Sequence, residues 1–213
     1  YVQEGAEMLA EGVNPALIEN VGKQLGMPVG PLAVSDEVSI ELGYKIVSAT
    51  KKELGAAYVA SRADEVMEKM VVELGRLGRK NSKGFYDYPE GGQKSLWPGL
   101  ADAFPRAALQ PTPEHVRTRL LYRQLVECAR CYEEGVLAAP EDGDIGAIFG
   151  WGFAPYTGGP FSHMDSIGLA KVVETLDHLA QQYGNRFAPT AQMREMAKNN
   201  AAFYTSKEAA IAA

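Results

Sequence analysis

Two sequence motifs recur in the same order in the two halves of the chain, and this repeat limits its possible architecture more than any other feature. An E-G-V tripeptide at 11–13 recurs at 134–136, an offset of 123 residues. A G-P-apolar-x-x-x-D segment at 30–36 recurs at 159–165, an offset of 129, so the second copy has six extra residues between its landmarks. Solenoid repeats have periods of roughly 20–45 residues. The long period therefore predicts two related half-domains.

Helix signals dominate both halves. Asn14 and Thr112 are good N-caps, and each is followed by a proline at the first helical position. Apolar residues at helical spacing predict one long, mostly buried helical stretch over 31–54. Strand signals are almost absent, apart from a short extended piece at 85–88. The fold class predicted is all-α, with two tandem related helical domains, 1–98 and 99–213. Further helices are expected over 2–11, 15–25, 62–74, 113–134 and 190–199. A short helix is expected to begin at about 140, and a separate helix is expected to end at about 184.

Composition excludes several classes of partner. The 213 residues have 46% hydrophobic and 23% charged content, which is typical of a globular protein. A net charge of -6 gives no basis for proposing nucleic acid as a partner. No stretch has the apolar length of a membrane span. The chain opens at Tyr1 without a methionine and runs at once into a helical pattern, so we expect it to be a piece of a longer protein.

The two cysteines, Cys128 and Cys131, form a C-x-x-C spacing. A redox pair needs its attacking thiol at a helix N-terminus, where the helix dipole lowers the thiol pKa. This pair lies deep inside the helix predicted over 113–134, and no second pair or nearby histidine completes a zinc site. Helix packing is the favoured interpretation, and a redox role is the alternative.

A basic, glycine-rich loop covers residues 75–84. Its cations, Arg76, Arg79, Lys80 and Lys83, could hold a phosphate-bearing ligand. The alternative, which we favour, is a solvated loop or one whose arginines cap backbone carbonyls of a neighbouring half.

Three residues in the repeated segments could carry proton chemistry. Asp36 and Asp165 each lie six residues after the glycine of a Gly-Pro turn, where a carboxylate could cap a helix start or pair with a buried cation. Structural capping is favoured over a general acid or base role. His163 lies in the second turn, but a histidine without an orienting partner is a poor general base, so a structural role is favoured. His115 and His178 are too scattered to form a metal motif.

Taken together, these segments resemble a known family. The runs G-M-P-V-G-P-L-x-x-x-D, G-R-L-G-R-K-N-S-K-G-F-Y-D-Y, W-P-G-L, E-C-x-R-C-Y-E-E-G-V and G-F-A-P-Y-T-G-G-P-F are similar to the C-terminal region of 3-hydroxyacyl-CoA dehydrogenases. The multifunctional fatty-acid β-oxidation enzymes, which carry two copies of this helical domain, resemble the chain most. The resemblance implies a fold like the C-terminal part of 6-phosphogluconate dehydrogenase, placed after a Rossmann domain. Ser82 and Ala154 depart from the family pattern, which has glycine and proline there.

The resemblance also implies where the chemistry lies. The family oxidises L-3-hydroxyacyl-CoA to 3-oxoacyl-CoA with NAD, and its catalytic histidine, the glutamate that orients it and its NAD-binding glycines belong to the Rossmann domain. Its catalytic asparagine should fall just upstream of Tyr1. No catalytic, cofactor-binding or metal-binding residue is therefore expected here, and NAD is expected only in the parent enzyme. The predicted contribution of this chain is an apolar wall of the substrate cleft, formed by Met27, Pro28, Val29, Gly30, Pro31 and Leu32.

Two functional hypotheses follow. In the first, the chain is the substrate-cleft and interface fragment of an NAD-dependent 3-hydroxyacyl-CoA dehydrogenase, inactive without the Rossmann domain of the same polypeptide. Its other expected partners are the acyl-CoA substrate and a second copy in a homodimer. In the second, it is a non-catalytic helical dimerisation or interaction module. A bacterial, cytoplasmic location is expected, with the mitochondrion and peroxisome as open alternatives.

Overall fold

The computed structural model describes residues 1–204, and most of their regular secondary structure is helical. Within those residues there are eleven α-helices and one two-stranded antiparallel sheet, which confirms the predicted all-α class. The helices are α1 (Val2–Ala10), α2 (Pro15–Gln24), α3 (Pro31–Val38), α4 (Ile40–Leu54), α5 (Arg62–Glu68), α6 (Leu100–Ala103), α7 (Pro113–Glu133), α8 (Pro140–Trp151), α9 (Pro160–Ile167), α10 (Leu169–Tyr183) and α11 (Ala191–Lys198), and the strands are β1 (Tyr86–Asp87) and β2 (Ser95–Leu96).

The chain divides into two compact units. The first comprises Tyr1–Gln24 and Pro28–Arg117, and the second comprises Leu25–Met27 and Thr118–Ala213. The division therefore lies within α7, and a three-residue segment after α2 belongs to the second unit. The predicted boundary after residue 98 separates the two duplicated domains, and it stays a prediction. Residues 205–213 of the predicted second domain lie outside the described part of the chain.

The core of the first unit is built where α1 meets α3 and α5. Met8, Ile18 and Leu32 are among its fully buried side chains. The ring of Pro31 lies directly against Gly5, where a Cβ atom would come within 2.6 Å of it. A glycine in α1 thus allows the start of α3 to approach the helix backbone closely, which is the usual purpose of a glycine inside a helix.

The core of the second unit is aromatic. Phe161 lies edge-on to both Tyr132 and Phe203, with ring centroids 5.7 and 4.9 Å away, in the geometry that aromatic pairs prefer. Gly143 of α8 makes room for Phe161, because a Cβ atom there would lie 2.3 Å from its ring. Helix α10 packs on α11 and α9, and it buries Leu176 in this core.

Several predicted helix starts are confirmed by their capping hydrogen bonds. Ala16 N–H donates to Asn14 Oδ1 at 3.0 Å, and His115 N–H donates to Thr112 Oγ1 at 3.2 Å. The helix predicted over 62–74 is also present, but α5 ends at Glu68 and continues as a π-helical turn over Lys69–Glu73.

The single buried helical stretch predicted over 31–54 is wrong. The helix is interrupted at Ser39, whose φ of 90° and ψ of 116° end α3, and α4 begins at the next residue. Helix α4 buries only Ile40, and Leu42 and Ile46 are exposed. The second copy breaks at the equivalent position, 129 residues on, where Gly168 has φ 89° and ψ 122°. The break is therefore a property of the repeated unit, and apolar periodicity alone did not reveal it.

The backbone at these two breaks generates a stability prediction. A serine at φ 90° is strained, whereas glycine is not. We expect Ser39→Gly to be more stable than Ser39→Ala by about 1 kcal/mol, since both variants lack the hydroxyl and differ only in backbone freedom. Gly168→Ala should lower the free energy of unfolding by about 1–2 kcal/mol, because a Cβ atom there meets nothing within 4 Å and the cost is conformational.

Urea denaturation measures these differences. The matched control is Ala49→Gly in the exposed interior of α4, where the order reverses and glycine costs about 1 kcal/mol relative to alanine. Equal stabilities for the alanine and glycine variants at 39 would contradict the assignment of strain to this break.

Candidate functional site

The predicted cleft segment forms the turn between α2 and α3. Met27 is buried and belongs to the second unit. Pro28 is exposed and Val29 is half-buried, so this pair is the more accessible part of the segment. Gly30, Pro31 and Leu32 are buried. The segment therefore has a two-residue exposed tip on a buried base.

A buried carboxylate holds the base of this turn. Glu19 Oε1 accepts a hydrogen bond from Leu32 N–H at 2.7 Å, and its Oε2 accepts one from Tyr86 Oη at 2.7 Å. The carboxylate thus lies at the N-terminus of α3, where free N–H groups and the helix dipole favour negative charge. A Cβ atom on Gly30 would lie 2.5 Å from the Glu19 carboxylate, so glycine is what allows the carboxylate to reach the helix end.

Tyr1 holds the tip of the turn. Its hydroxyl donates to Val29 O at 2.8 Å. Gly22 of α2 lies beside the Tyr1 hydroxyl, and a Cβ atom there would lie 2.4 Å from the hydroxyl oxygen. Burial, together with the nearby Glu19 carboxylate, raises the pKa of Tyr1 above its ordinary value, so the hydroxyl keeps its proton and remains a donor.

Asp36 ties α3 to the sheet. Its Oδ1 accepts from Phe85 N–H at 2.8 Å, and its Oδ2 accepts from Tyr86 N–H at 2.9 Å and from Tyr88 Oη at 3.0 Å. A Cβ atom on Gly84 would lie 2.0 Å from Asp36 Oδ1. The role is structural, as favoured, but the carboxylate binds N–H groups of a distant segment instead of capping a helix start.

The second unit repeats the first carboxylate site. Asp144 Oδ1 accepts from Phe161 N–H at 2.7 Å. Its Oδ2 accepts from Ser162 N–H at 3.0 Å and from Tyr204 Oη at 2.8 Å. A Cβ atom on Gly159 would lie 2.5 Å from the carboxylate. Asp144 therefore occupies the position of Glu19, at the N-terminus of the second Gly-Pro helix.

The second carboxylate site is repeated as well. Asp165 Oδ1 accepts from Phe203 N–H at 2.9 Å, and its Oδ2 accepts from Tyr204 N–H at 3.0 Å. Each unit thus has two carboxylates, one Gly-Pro helix and one Phe-Tyr pair. Sequence reasoning missed Glu19, Asp144 and the Phe-Tyr pairs. A search for the dipeptide would have found F-Y at 85–86 and at 203–204.

Arg76 of the basic loop is buried and binds backbone carbonyls. Its Nε donates to Gly84 O at 2.7 Å, and its Nη2 donates to Tyr86 O at 3.2 Å and pairs with Asp87. The guanidinium carbon lies 4.1 Å from the ring centroid of Trp97, a cation–π contact. Arg76 therefore caps backbone carbonyls, as expected, but they belong to its own loop and to β1 and not to a neighbouring half.

Two other cations of the loop face carboxylates. Arg79 Nη1 lies 2.8 and 2.7 Å from the two carboxylate oxygens of Glu37, and Lys80 pairs with Glu41. Lys83 is exposed. With these partners the loop offers little free positive charge, so its geometry does not support a phosphate site.

The remaining candidates are explained by packing. Burial raises the pKa of Cys128 to about 12 and also raises that of Cys131, which opposes the thiolate that redox chemistry needs. His163 is half-buried on α9, and burial lowers its pKa. Among residues 1–204, no three His, Cys, Asp or Glu side chains are grouped so as to hold a metal ion. Over the same residues, no helix is both long and apolar enough to cross a membrane.

The profile of the 3-hydroxyacyl-CoA dehydrogenase C-terminal domain matches residues 1–88 and 115–211. The chain belongs to this family. The two matched segments coincide with the two copies described above, and each contains its Gly-Pro helix and its Phe-Tyr pair.

Curated relatives agree. The chain is 41% identical over 208 residues to the fatty acid oxidation complex subunit alpha of Shewanella loihica and 40% identical over 210 residues to that of Shewanella amazonensis. Each alignment covers 96% of this chain but 29% of the relative. The chain thus spans less than a third of the length of these relatives.

Solved structures share the fold. The 3-hydroxybutyryl-CoA dehydrogenase of Escherichia coli K12 aligns with a TM-score of 0.66 at 18% identity, covering 94% of this chain and 58% of that one. The dehydrogenase part of multifunctional enzyme 1 from Caenorhabditis elegans aligns with a TM-score of 0.59 at 20% identity, covering 91% and 44%.

The two departures from the family pattern keep the backbone that the usual residue would adopt. Ser82 is left-handed at φ 60°, a region that favours glycine. Ala154 has φ −51°, within the range of proline. Both substitutions therefore change the residue while the turn geometry is retained.

The aspartates that bind the Phe-Tyr pairs generate a paired prediction. In Asp36→Asn the amide NH₂ cannot accept from a backbone N–H, so at least one buried donor is left unpaired, at a cost of about 2 kcal/mol. Asp165→Asn should cost less, about 1 kcal/mol, because Asp165 is only half-buried and water can replace the lost acceptor. Urea denaturation tests the order, with Asp142→Asn at an exposed position of α8 as the control. Equal costs at 36 and 165 would contradict the role of burial.

The Glu19 carboxylate generates a pH prediction. Burial raises its pKa above 4.5 in the folded protein, so the folded state binds the proton more tightly than the unfolded state. Stability is therefore lost as pH rises from 4.5 through the raised pKa. Glu19→Gln removes this titration and retains an oxygen for Leu32 N–H. We expect the stability of the variant relative to the parent chain to improve as pH rises from 4.5 through the raised pKa, measured by urea denaturation. A difference that is independent of pH contradicts the assignment.

Proposed function

We propose that this chain is the C-terminal, cleft-forming part of an NAD-dependent L-3-hydroxyacyl-CoA dehydrogenase of fatty-acid β-oxidation. The observation that carries the proposal is the turn over 27–32, whose exposed tip is apolar and whose base is held by buried hydrogen bonds. A pre-organised apolar wall is what an acyl-thioester cleft requires. The membership of the family and the names of the relatives support the reaction.

The residues of this chain have positioning roles in the proposal. Glu19 and Tyr1 hold the turn, and Pro28 and Val29 form the wall that excludes water from the acyl chain. The two Glu19 oxygens accept from Leu32 N–H and Tyr86 Oη. A carboxylate so engaged and buried is poorly suited to act as a general base, so proton transfer is assigned to groups outside this chain.

The missing parts are proposed from the length of the relatives. A Rossmann domain of the same polypeptide would bind NAD and supply the catalytic residues, and acyl-CoA would bind between it and the turn. A homodimer and a cytoplasmic location are further proposals, and the bacterial source of the relatives supports the latter.

A non-catalytic interaction module is the second candidate. The exposed apolar residues Leu42 and Ile46 on α4 favour it, because surface leucines and isoleucines at i, i+4 spacing are typical of helix-pairing faces. Sedimentation at several concentrations tests this candidate, since a strict monomer counts against self-association.

The proposal predicts that activity needs the longer polypeptide. The 213-residue chain alone should form no NADH from 3-hydroxyacyl-CoA and show no NAD binding by calorimetry, whereas the full-length polypeptide that contains it should do both. Micromolar NAD affinity of the isolated chain would contradict the proposal.

A second prediction tests the turn. In the full-length polypeptide, Val29→Asp should lower kcat/KM for a long-chain 3-hydroxyacyl-CoA by roughly ten-fold or more, because a charge replaces apolar wall. The control is Val59→Asp, an exposed valine of the same unit, which should leave kcat/KM unchanged. Equal effects of the two substitutions, or none, would remove the turn from the cleft.

A further inference from the structure

Helix α8 exposes large apolar side chains along one face. Ile145 is 59% exposed and Phe149 is 86% exposed, and their i, i+4 spacing places them together. The adjacent Gly146 and Gly150 are also exposed, and a Cβ atom at either would meet nothing within 4 Å. We refer to these four residues as the α8 face.

The opposite side of α8 packs into the second unit. Gly143, Asp144 and Ala147 are buried there. Beyond its acidic first turn, the exposed side of α8 thus carries large apolar side chains. Large apolar side chains grouped on an exposed face mark an interaction surface.

The first copy shows that the fold does not need this face to be apolar. Glu19 and Asp144 occupy equivalent positions, 125 residues apart, and they set the register between α2 and α8. The residues of α2 that correspond to Ile145 and Phe149 are Asn20 and Gln24, and both are exposed and polar. The second copy therefore has apolar residues at exposed helix positions where the first copy has polar ones.

We propose that the α8 face is covered by a segment of the longer polypeptide that lies outside this chain. The area argues for a covalently tethered occupant. Two side chains of this size expose on the order of 300 Å² together, whereas a stable dimer needs about 800 Å² from each partner. Tethering raises the effective concentration, so a small surface can be covered within one polypeptide. The relatives extend well beyond the aligned part, which covers 29% of their length.

The face also defines the chemistry of its occupant. Gly146 and Gly150 leave room for close backbone approach, which suits a helix that presents apolar side chains toward Ile145 and Phe149. Glu141 and Asp142 are exposed at the N-terminal end of α8. The occupying helix is therefore expected to carry lysine or arginine where it meets that end. The inference rests on the proposed function only in taking this chain as part of a longer polypeptide.

Cysteine accessibility tests the inference directly. Phe149→Cys is introduced both in the 213-residue chain and in the full-length polypeptide, and the rate of maleimide alkylation is measured by peptide mass spectrometry. The native cysteines remain in place because each site is read separately. We expect alkylation at 149 to be at least about ten-fold slower in the full-length polypeptide. The control is Lys171→Cys on the exposed side of α10, whose rate should be the same in both forms.

Three results would overturn the inference. Equal rates at 149 in the two forms mean that the face is free. Protection that appears in the 213-residue chain as its own concentration rises means that a second copy covers it. Protection of the full-length polypeptide only after another subunit is added assigns the face to a separate chain. The alkylation rates do not depend on enzymatic activity, which is assayed separately on the full-length polypeptide. Lack of protection at position 149 in an active polypeptide overturns this inference alone, and protection at 149 in a polypeptide without dehydrogenase activity overturns the proposed function alone.

Discussion

Both units depend on hydrogen bonds between a buried carboxylate and the N-terminus of a Gly-Pro helix. Glu19 and Asp144 each accept a backbone N–H from the first turn of the helix and a tyrosine hydroxyl from a distant segment. The glycine before the proline is needed because a Cβ atom would occupy the position of the carboxylate. The proline adds a fixed φ and removes an N–H that would otherwise need a partner. One motif thus joins three parts of each unit.

The local elements were predictable because their signals are local. Asn14 and Thr112 accept the N–H bonds expected of N-caps, and the helices after them begin at the prolines. The break at Ser39 was not predictable from apolar spacing, because the apolar pattern continues through it. Its equivalent in the second copy is a glycine, so aligning the copies residue by residue, beyond the landmarks, would have indicated it.

The position of the candidate site stays a prediction, and the hydrogen bonds that hold the turn were not predictable from the sequence. The repeated Gly-Pro segment and the family resemblance both indicated the turn over 27–32. The groups that hold it are separated widely along the chain: Glu19 meets Tyr86 across 67 residues. No spacing rule links such a pair, because the contact exists only after the helices have packed. The same reason explains why Asp36 was expected to cap a helix when it binds Phe85 and Tyr86 instead.

Buried carboxylates with raised pKa values are often candidates for catalysis, but in this protein their hydrogen bonds favour a structural role. A general base needs an oxygen that can reach substrate. The oxygens of Glu19 and Asp36 accept from backbone N–H groups and tyrosine hydroxyls of their own unit. Their raised pKa values come mainly from burial, which is a cost that the hydrogen bonds offset. Displacing the base of the turn would leave the Glu19 carboxylate buried and unpaired, which is costly. The second unit has the same arrangement at Asp144, which argues that these carboxylates belong to the repeated fold.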